Sequence, residues 1–173
     1  LIRNNELGGI PEIVETERQF LKSGFSYNEG ILYHEEQPIP PELNERILTY
    51  KNLGLPYDSL LKFWENLKQN PSYNARQQLF KFLTHNGHPL TEDGCFIAYR
   101  GVTEDFKDKH TGKFNNAPGS KCEMPRQSVD DNPDNTCSHG LHIGGYEYAK
   151  DFASGGKLVL VKVNPRDVVA VPN

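Results

Sequence analysis

The chain has 173 residues and a mass of 19.6 kDa, long enough to bury on the order of two-thirds of its unfolded surface in one core. Its 19 basic and 23 acidic residues give a formal charge of −4, so no global field draws in nucleic acid, and no basic run supplies a local one. No apolar stretch reaches the roughly 18 residues of a spanning helix, no signal peptide pattern is present, and Cys95, Cys122 and Cys137 are too few for a disulfide scaffold, which predicts a reducing compartment. A mean hydropathy of −0.67 and 12 prolines predict long polar connections. The chain begins at Leu1, has Met124 as its only methionine, and stops just after an apolar strand pattern. A piece of a longer product, or a renumbered one, is expected.

In chain order, Ile10–Leu21 holds a candidate helix with Pro11 in its first turn. Gly24–Tyr33 suits a short strand or hairpin, and Gln37–Pro41 breaks the chain and prepares a helix start. Three short helices are expected at 42–52, 58–69 and 72–86. The first carries Leu43, Ile47, Leu48 and Leu53 on one side, with Gly54 at its end. The second is capped by Asp58 and carries Leu60, Leu61, Trp64 and Leu67 before Pro71. The third is capped by Ser72 and carries Ala75, Leu79, Phe82 and Leu83.

At Gly87 the periodicity changes. Leu90–Gly94 reads as a turn and 95–100 as a buried strand with Cys95 in the core. Residues 101–136 are rich in Asp, Asn, Gly and Pro. A disordered reading competes, yet a loop that long is uncommon without a purpose, so the other expectation is that it holds very short strands or wraps a site. Gly145–Ala153 suits a helix with Tyr148, Ala149 and Phe152 inward. Lys157–Val163 is the strongest strand pattern, and Asp167–Val171 reads as a further strand after the Asn164–Pro165 turn. The expected class is α+β, with short helices packed beside a small twisted sheet. The expected division is a mainly helical region, 1–86, and an α+β domain, 87–173.

Chemically competent residues concentrate in Asn135–Ala149, which holds a cysteine, two histidines and several glycines and tyrosines. Cys137, His139 and His142 are metal-ligand types, with Cys122 or His110 as candidate fourth ligands. The Cys-x-His-x-x-His spacing matches no strong zinc pattern, so no metal is expected. Cys137 is instead expected to pack inward, with at least one of the histidines bonded to backbone or a carboxylate. As a nucleophile it lacks a clear base arrangement, and no catalytic residue is assigned. The acids Asp105, Asp108, Asp130, Asp131 and Asp134 do not fit a calcium loop, and Asp130–Pro133 reads as a solvated turn. The remaining reading is a cleft for a phosphate-bearing ligand: Arg100 at a strand end, Gly101 letting the chain pass close, and a glycine turn leading into a helix N-terminus. Its expected lining is Arg100, Gly101, His139, His142, Tyr146 and Tyr148. The competing plain reading has the arginine salt-bridged, the glycines serving turns and the tyrosines packing the helix onto the sheet.

Thr91–Val102, Asp108–Asn116, Met124–Arg126, Val129–Asp131, Cys137–His142 and Val163–Pro172 together resemble the rII-region B family of tailed phages, over residues 79–172. The resemblance implies an accessory protein of lysis inhibition and prophage exclusion. Such a protein is made in the host cytoplasm and lies peripherally at the inner face of the membrane, with the rII-region A protein as partner. It also implies that the chain continues beyond Asn173, and it brings no catalytic residues. At the level of fold, Tyr99–Gly101, Gly140–Ala149 and the Leu158–Val163 strand are similar in order to ADP-ribosyltransferase-like domains. That likeness implies Arg100 as a phosphate contact, Tyr146 or Tyr148 stacking on nicotinamide, and NAD as cofactor. The late catalytic glutamate of that family has no clear counterpart, since Asp167 is the acid after the main strand. Three functions follow as expectations: binding of a partner or small phosphate-bearing ligand, a nicotinamide-dinucleotide enzyme, and a purely structural interaction module.

Overall fold

The structure, a computed structural model, describes residues 24–135 and 138–172, without the side chains of residues 84–86. The helix expected in Ile10–Leu21 and the inward packing expected of Cys137 lie outside the described residues. The elements are β1 (Phe25–Asn28), β2 (Ile31–His34), β3 (Gln37–Pro38), α1 (Pro41–Asn52), α2 (Asp58–Lys68), α3 (Tyr73–Asn86), β4 (Phe96–Val102), α4 (Tyr146–Phe152) and β5 (Lys157–Val163). Single 3-10 turns lie at Arg126–Ser128 and Pro165–Asp167. The class is mixed α+β with small antiparallel sheets. No helix among the described residues is long and apolar enough to cross a membrane. Two compact units meet within α2, one ending at Leu61 and the other starting at Lys62.

In the first unit, β1, β2 and β3 form an antiparallel meander. Glu29 and Gly30 both have positive φ, which lets a two-residue turn follow the strand twist. Phe25, Leu32, Ile39, Leu43 and Ile47 are buried. Asn44 of α1 fixes the hairpin: Leu32 N–H donates to its Oδ1 at 2.9 Å, and its Nδ2 donates to Gly30 O at 2.9 Å. Pro41 is the first residue of α1, where its missing N–H costs nothing. Leu53, expected on the buried stripe, is 68% exposed because it lies past the last turn as the C-cap.

In the second unit, Phe63, Leu67, Leu79, Leu83, Phe96, Ala98 and Val102 are buried, each large side chain contributing about 1.5–3 kcal/mol. Ser72 caps α3 as expected, its hydroxyl accepting from Ala75 N–H at 3.2 Å. Asp58 is not a cap. It is the first residue of α2, where its charge meets the positive end of the helix dipole. The turn before β4 passes so close to α2 that a Cβ on Gly94 would lie 2.4 Å from Lys62 C, and its φ of +77° also demands glycine.

β4 pairs antiparallel with β5 along its full length, from Phe96↔Val163 to Val102↔Lys157. On its other edge Ile97 N–H donates to Pro89 O, and Tyr99 exchanges two hydrogen bonds with Gly144, all at 2.9 Å. The strand runs two residues further than expected, so Arg100 is not at its end and Gly101 makes no turn. Gly101 instead lets α4 sit on the sheet: a Cβ there would lie 2.7 Å from Ala153 N. α4 presents Ala149 and Ala153 inward. Tyr148, expected inward, is 68% exposed, and Phe152 is 43% exposed, because only small side chains fit that approach. Val168–Val171 forms no strand. After the 3-10 turn it runs toward the helices, with Val171 N–H donating to Gln78 Oε1 at 3.4 Å.

Asn70, fully buried between α2 and α3, ties these parts together. Its Nδ2 donates to Pro165 O at 2.9 Å and Val168 O at 2.7 Å. Its Oδ1 accepts from Ser72 N–H and from Arg126 Nη2, each at 3.0 Å. Arg126 also donates to Arg166 O at 3.1 Å and Val168 O at 3.2 Å. All the hydrogen-bonding capacity of the amide is used. Asn70→Ala is expected to destabilise the chain by about 2–4 kcal/mol, since it strands several buried partners. Asn70→Asp, nearly isosteric, should lose a comparable amount at neutral pH, because it turns the donors that face two carbonyls into acceptors. Urea unfolding of both variants measures this, and a loss below about 1 kcal/mol in each would remove Asn70 from its central place.

Candidate functional site

β4 exposes alternate side chains to opposite faces. Tyr99 and Gly101 face α4, where the Tyr99 and Tyr146 rings meet edge to face at 5.4 Å. Arg100 leaves on the face shared with Phe96, Ala98 and Val102 and is half-buried. Burial pushes its pKa down from the ordinary value, opposed by the fields of Cys122 and Asp108. The guanidinium stays charged. Among the described residues nothing accepts a hydrogen bond from it.

The polar loop that follows is a built structure around Asp108. Thr103 N–H donates to Lys107 O at 2.9 Å, and Lys107 and Asn115 form an antiparallel bridge. The Asp108 carboxylate, 4% exposed, accepts from the backbone N–H groups of Thr111 at 2.6 Å, Lys113 at 2.9 Å and Phe114 at 2.8 Å. The Thr111 hydroxyl adds a bond at 2.8 Å. Burial would raise this carboxyl's pKa, but the backbone and hydroxyl donors outweigh it and hold the pKa far below the usual carboxylate range. Asp108 therefore feels Arg100 through space while its oxygens are committed to the loop.

The same loop reaches α4. Lys109 Nζ donates to Phe152 O at 2.6 Å and Ser154 O at 2.9 Å, a cation on the negative end of the helix. The His110 ring lies 5.8 Å from that of Phe152 and 6.4 Å from that of His142. Lys157 Nζ sits 4.2 Å above the Phe106 ring, and the Cys122 thiol donates to Asn115 O at 3.1 Å.

Of the residues expected to line the cleft, Arg100 and His142 are near enough for the charge of the first to act on the second. The His142 residue is exposed overall, yet packing around its ring lowers the pKa from the ordinary value. The positive fields of His110 and Arg100 add to this, and a hydrogen bond with the Ser138 backbone opposes it. His139 is directed elsewhere. It is exposed, its Nδ1 bonds to Ser128 O at 2.6 Å, and its carbonyl accepts from Asp130 N–H at 2.9 Å, which pins the Asp130 turn. The expectation of a histidine bonded to backbone holds at this residue. Tyr146 stands on the α4 side of β4 against Tyr99, and the Tyr148 ring covers Gly144. Gly145 is the N-cap of α4, without a side-chain cap. Asp167 is exposed and paired with Arg166 at 3.3 Å. Among the described residues no three His, Cys, Asp or Glu side chains converge as a metal set.

His110 and Cys122 appear in the sequence only as metal-ligand types, and Asp108 only as one of many acids. The Asp-x-x-Thr-Gly pattern at 108–112 was the available signal for a carboxylate that closes its own turn. Asp108→Asn is expected to cost roughly 2 kcal/mol at pH 7, because an amide oxygen cannot replace a carboxylate receiving several N–H bonds. The folded pKa is depressed, so this stabilisation is complete above the unfolded value of about 4 and declines as pH falls below it. Urea unfolding of wild type and variant from pH 7 to pH 3 should show the gap narrowing only below about pH 4; a gap constant with pH would contradict the assignment.

Comparison with known proteins agrees with the motif resemblance. Residues 20–173 match the model of the family described as Bacteriophage T4 protein rIIB. The chain is 40% identical over 144 residues to Protein rIIB of Enterobacteria phage T4, an alignment covering 83% of this chain and 46% of that protein. It thus spans less than half the length of that relative. No solved structure matches, and the ADP-ribosyltransferase likeness gains no support. On the family match and the identity together, the chain belongs to the phage rIIB family.

Proposed function

We propose that this rIIB-family chain is a phage accessory protein that acts by binding, and that Arg100 is the centre of a site for a phosphate-bearing ligand. The observation that carries the reading is the half-buried guanidinium without an acceptor among the described residues. Leaving a partly desolvated cation unpaired is unfavourable, and a bound anion relieves it. A guanidinium fork matches phosphate oxygens in pairs. The His142 ring, which feels the Arg100 charge and lies 6.4 Å from that of His110, supports the reading as a further donor. Gly101 serves to bring α4 against β4, Tyr146 and Tyr148 belong to that α4 side, and His139 is held by Ser128, so none of the four is carried into the anion site.

The protein partner implied by the family resemblance is the rII-region A protein, at the inner face of the host membrane. Exposed Tyr146 and Leu160, which flank Tyr99 from α4 and from the cross-strand position, support a contact surface there. Transfer or hydrolysis on a nicotinamide dinucleotide has less in its favour. Asp167 is exposed and engaged by Arg166, and Tyr146 is held against Tyr99 on the face opposite Arg100.

Titration of the protein with inorganic phosphate, followed by chemical shifts of arginine side-chain Nε–H groups, tests the anion site. One arginine signal should shift saturably and be missing in Arg100→Gln. The variant should keep its fold by circular dichroism, since Arg100 makes no hydrogen bond that the sheet needs. Identical, non-saturating shifts in both proteins would falsify the reading.

A further inference from the structure

Lys157–Val163 carries the strongest strand pattern in the sequence, a nearly continuous apolar run of the kind found in strands covered on both faces. In the structure it is the end strand of its sheet, and none of its residues is buried. α4 packs over Gly101 of β4 and leaves Leu160 of β5 68% exposed.

The neighbouring strand fixes which groups line the open edge. On β4, Ile97 and Tyr99 turn their N–H groups away from β5, to Pro89 O and Gly144 O. Their carbonyls also point away, to His88 Nδ1 and Gly144 N–H. Directly opposed residues of an antiparallel pair turn their backbone groups both toward each other or both away. Ile97 opposes Lys162, Tyr99 opposes Leu160 and Gly101 opposes Leu158. The N–H and C=O groups of Leu158, Leu160 and Lys162 therefore point out of the sheet. Among the described residues no hydrogen bond takes them up. Edge strands are usually guarded by outward charges, lysine above all. Here Lys157 and Lys162 are each turned to their own chain, to the Phe106 ring at 4.2 Å and to the Asp93 carboxylate.

This edge is complementary to itself. Leu160 is the midpoint of Lys157–Val163, so an antiparallel two-fold through it pairs every residue of the strand. It also joins all the outward groups of residues 158, 160 and 162 to those of the other copy. Val159 then opposes Val161, Leu158 opposes Lys162 and Lys157 opposes Val163, so no lysine meets a lysine. Centring the pair on Lys162 instead would set like charges directly against each other. On the α4 side the Leu160 register extends the Tyr99–Leu160 pair into a row, Tyr99–Leu160–Leu160–Tyr99, which covers the exposed leucine. We infer that β5 pairs through this edge with β5 of a second copy, antiparallel about a two-fold axis at Leu160. The far edge of β4 is occupied at Ile97 and Tyr99, so the assembly closes at two copies. The contact surface at Tyr146 and Leu160 is then contributed by both copies.

Sedimentation of the purified chain over a range of concentrations, with amide hydrogen exchange followed residue by residue, tests this. The chain should pass from monomer to dimer as concentration rises, without larger species. Exchange at Val159 and Val161 should be slow throughout, because their N–H groups face β4. At Leu158, Leu160 and Lys162 it should slow by at least about tenfold only as the dimer forms. Leu160→Pro removes an outward N–H and spares the β4–β5 ladder, and should weaken dimerisation by more than about tenfold. Leu160→Lys is the second variant should proline lower stability. It places like charges on the axis, weakening the dimer by a similar factor that added salt partly restores. A chain that stays monomeric at every concentration overturns the inference. So does a dimer whose outward amides still exchange fast, or one that both variants leave intact. Protection of those amides only on addition of the rII-region A protein assigns the edge to that partner and overturns self-pairing. None of these outcomes bears on the anion site at Arg100.

Discussion

The second unit depends on one buried amide. Asn70 sits where α2 stops and α3 begins, and its side chain bonds outward to the segment after β5 and to Arg126 of the polar connection. Three stretches of chain distant in sequence, the α2–α3 junction, the polar connection at Arg126 and the segment after β5, are thereby fixed at one point. A buried carbonyl without a donor is costly, so the amide acts as a template that the segment after β5 must meet in register. The short Pro165–Asp167 turn and the extended run to Val171 follow from that requirement.

A similar use of side chains in place of regular structure shapes the site. The loop after β4 contains one isolated bridge at Lys107 and Asn115, yet it is held in shape because Asp108 collects N–H groups from three residues. Lys109 then anchors the loop to the end of α4. This construction commits the Asp108 carboxylate to the loop instead of to Arg100 and brings the His110 ring to that of His142. The unpaired cation is a consequence of the way the loop is tied.

Helix α4 owes its position to Gly101, Ala149 and Ala153, where backbone approaches backbone too closely for larger side chains. The aromatic residues of α4 are consequently displaced outward, and Tyr146 meets the sheet at the Tyr99 ring. In β5, the partner strand of β4, Leu160 faces solvent opposite Tyr99. Small residues at the contact and large ones around it give this side of the sheet its exposed apolar character.

The sequence by itself determined the local elements. The α1, α2 and α3 stripes, the Ser72 cap, the switch to strand periodicity after Gly87 and the Lys157–Val163 strand all depend on contacts within a few residues, which spacing and cap chemistry report directly. The family, too, was legible, because its ordered motifs are preserved along residues 79–172. Tertiary structure alone decided the rest. Asn70 reads in sequence as a helix-terminating polar residue before Pro71, since its partners lie 95 and 98 positions away. Tyr148 and Phe152 follow an inward helical pattern, but the close approach at Gly101 reserves the inner face for alanines. Arg100 and His142 were both picked out by type. That the His110 ring meets that of His142, and that Asp108 is committed to its own loop, depends on how a polar loop folds back on itself. Hydrogen bonds that a single carboxylate accepts from scattered backbone N–H groups leave no periodic trace in a sequence.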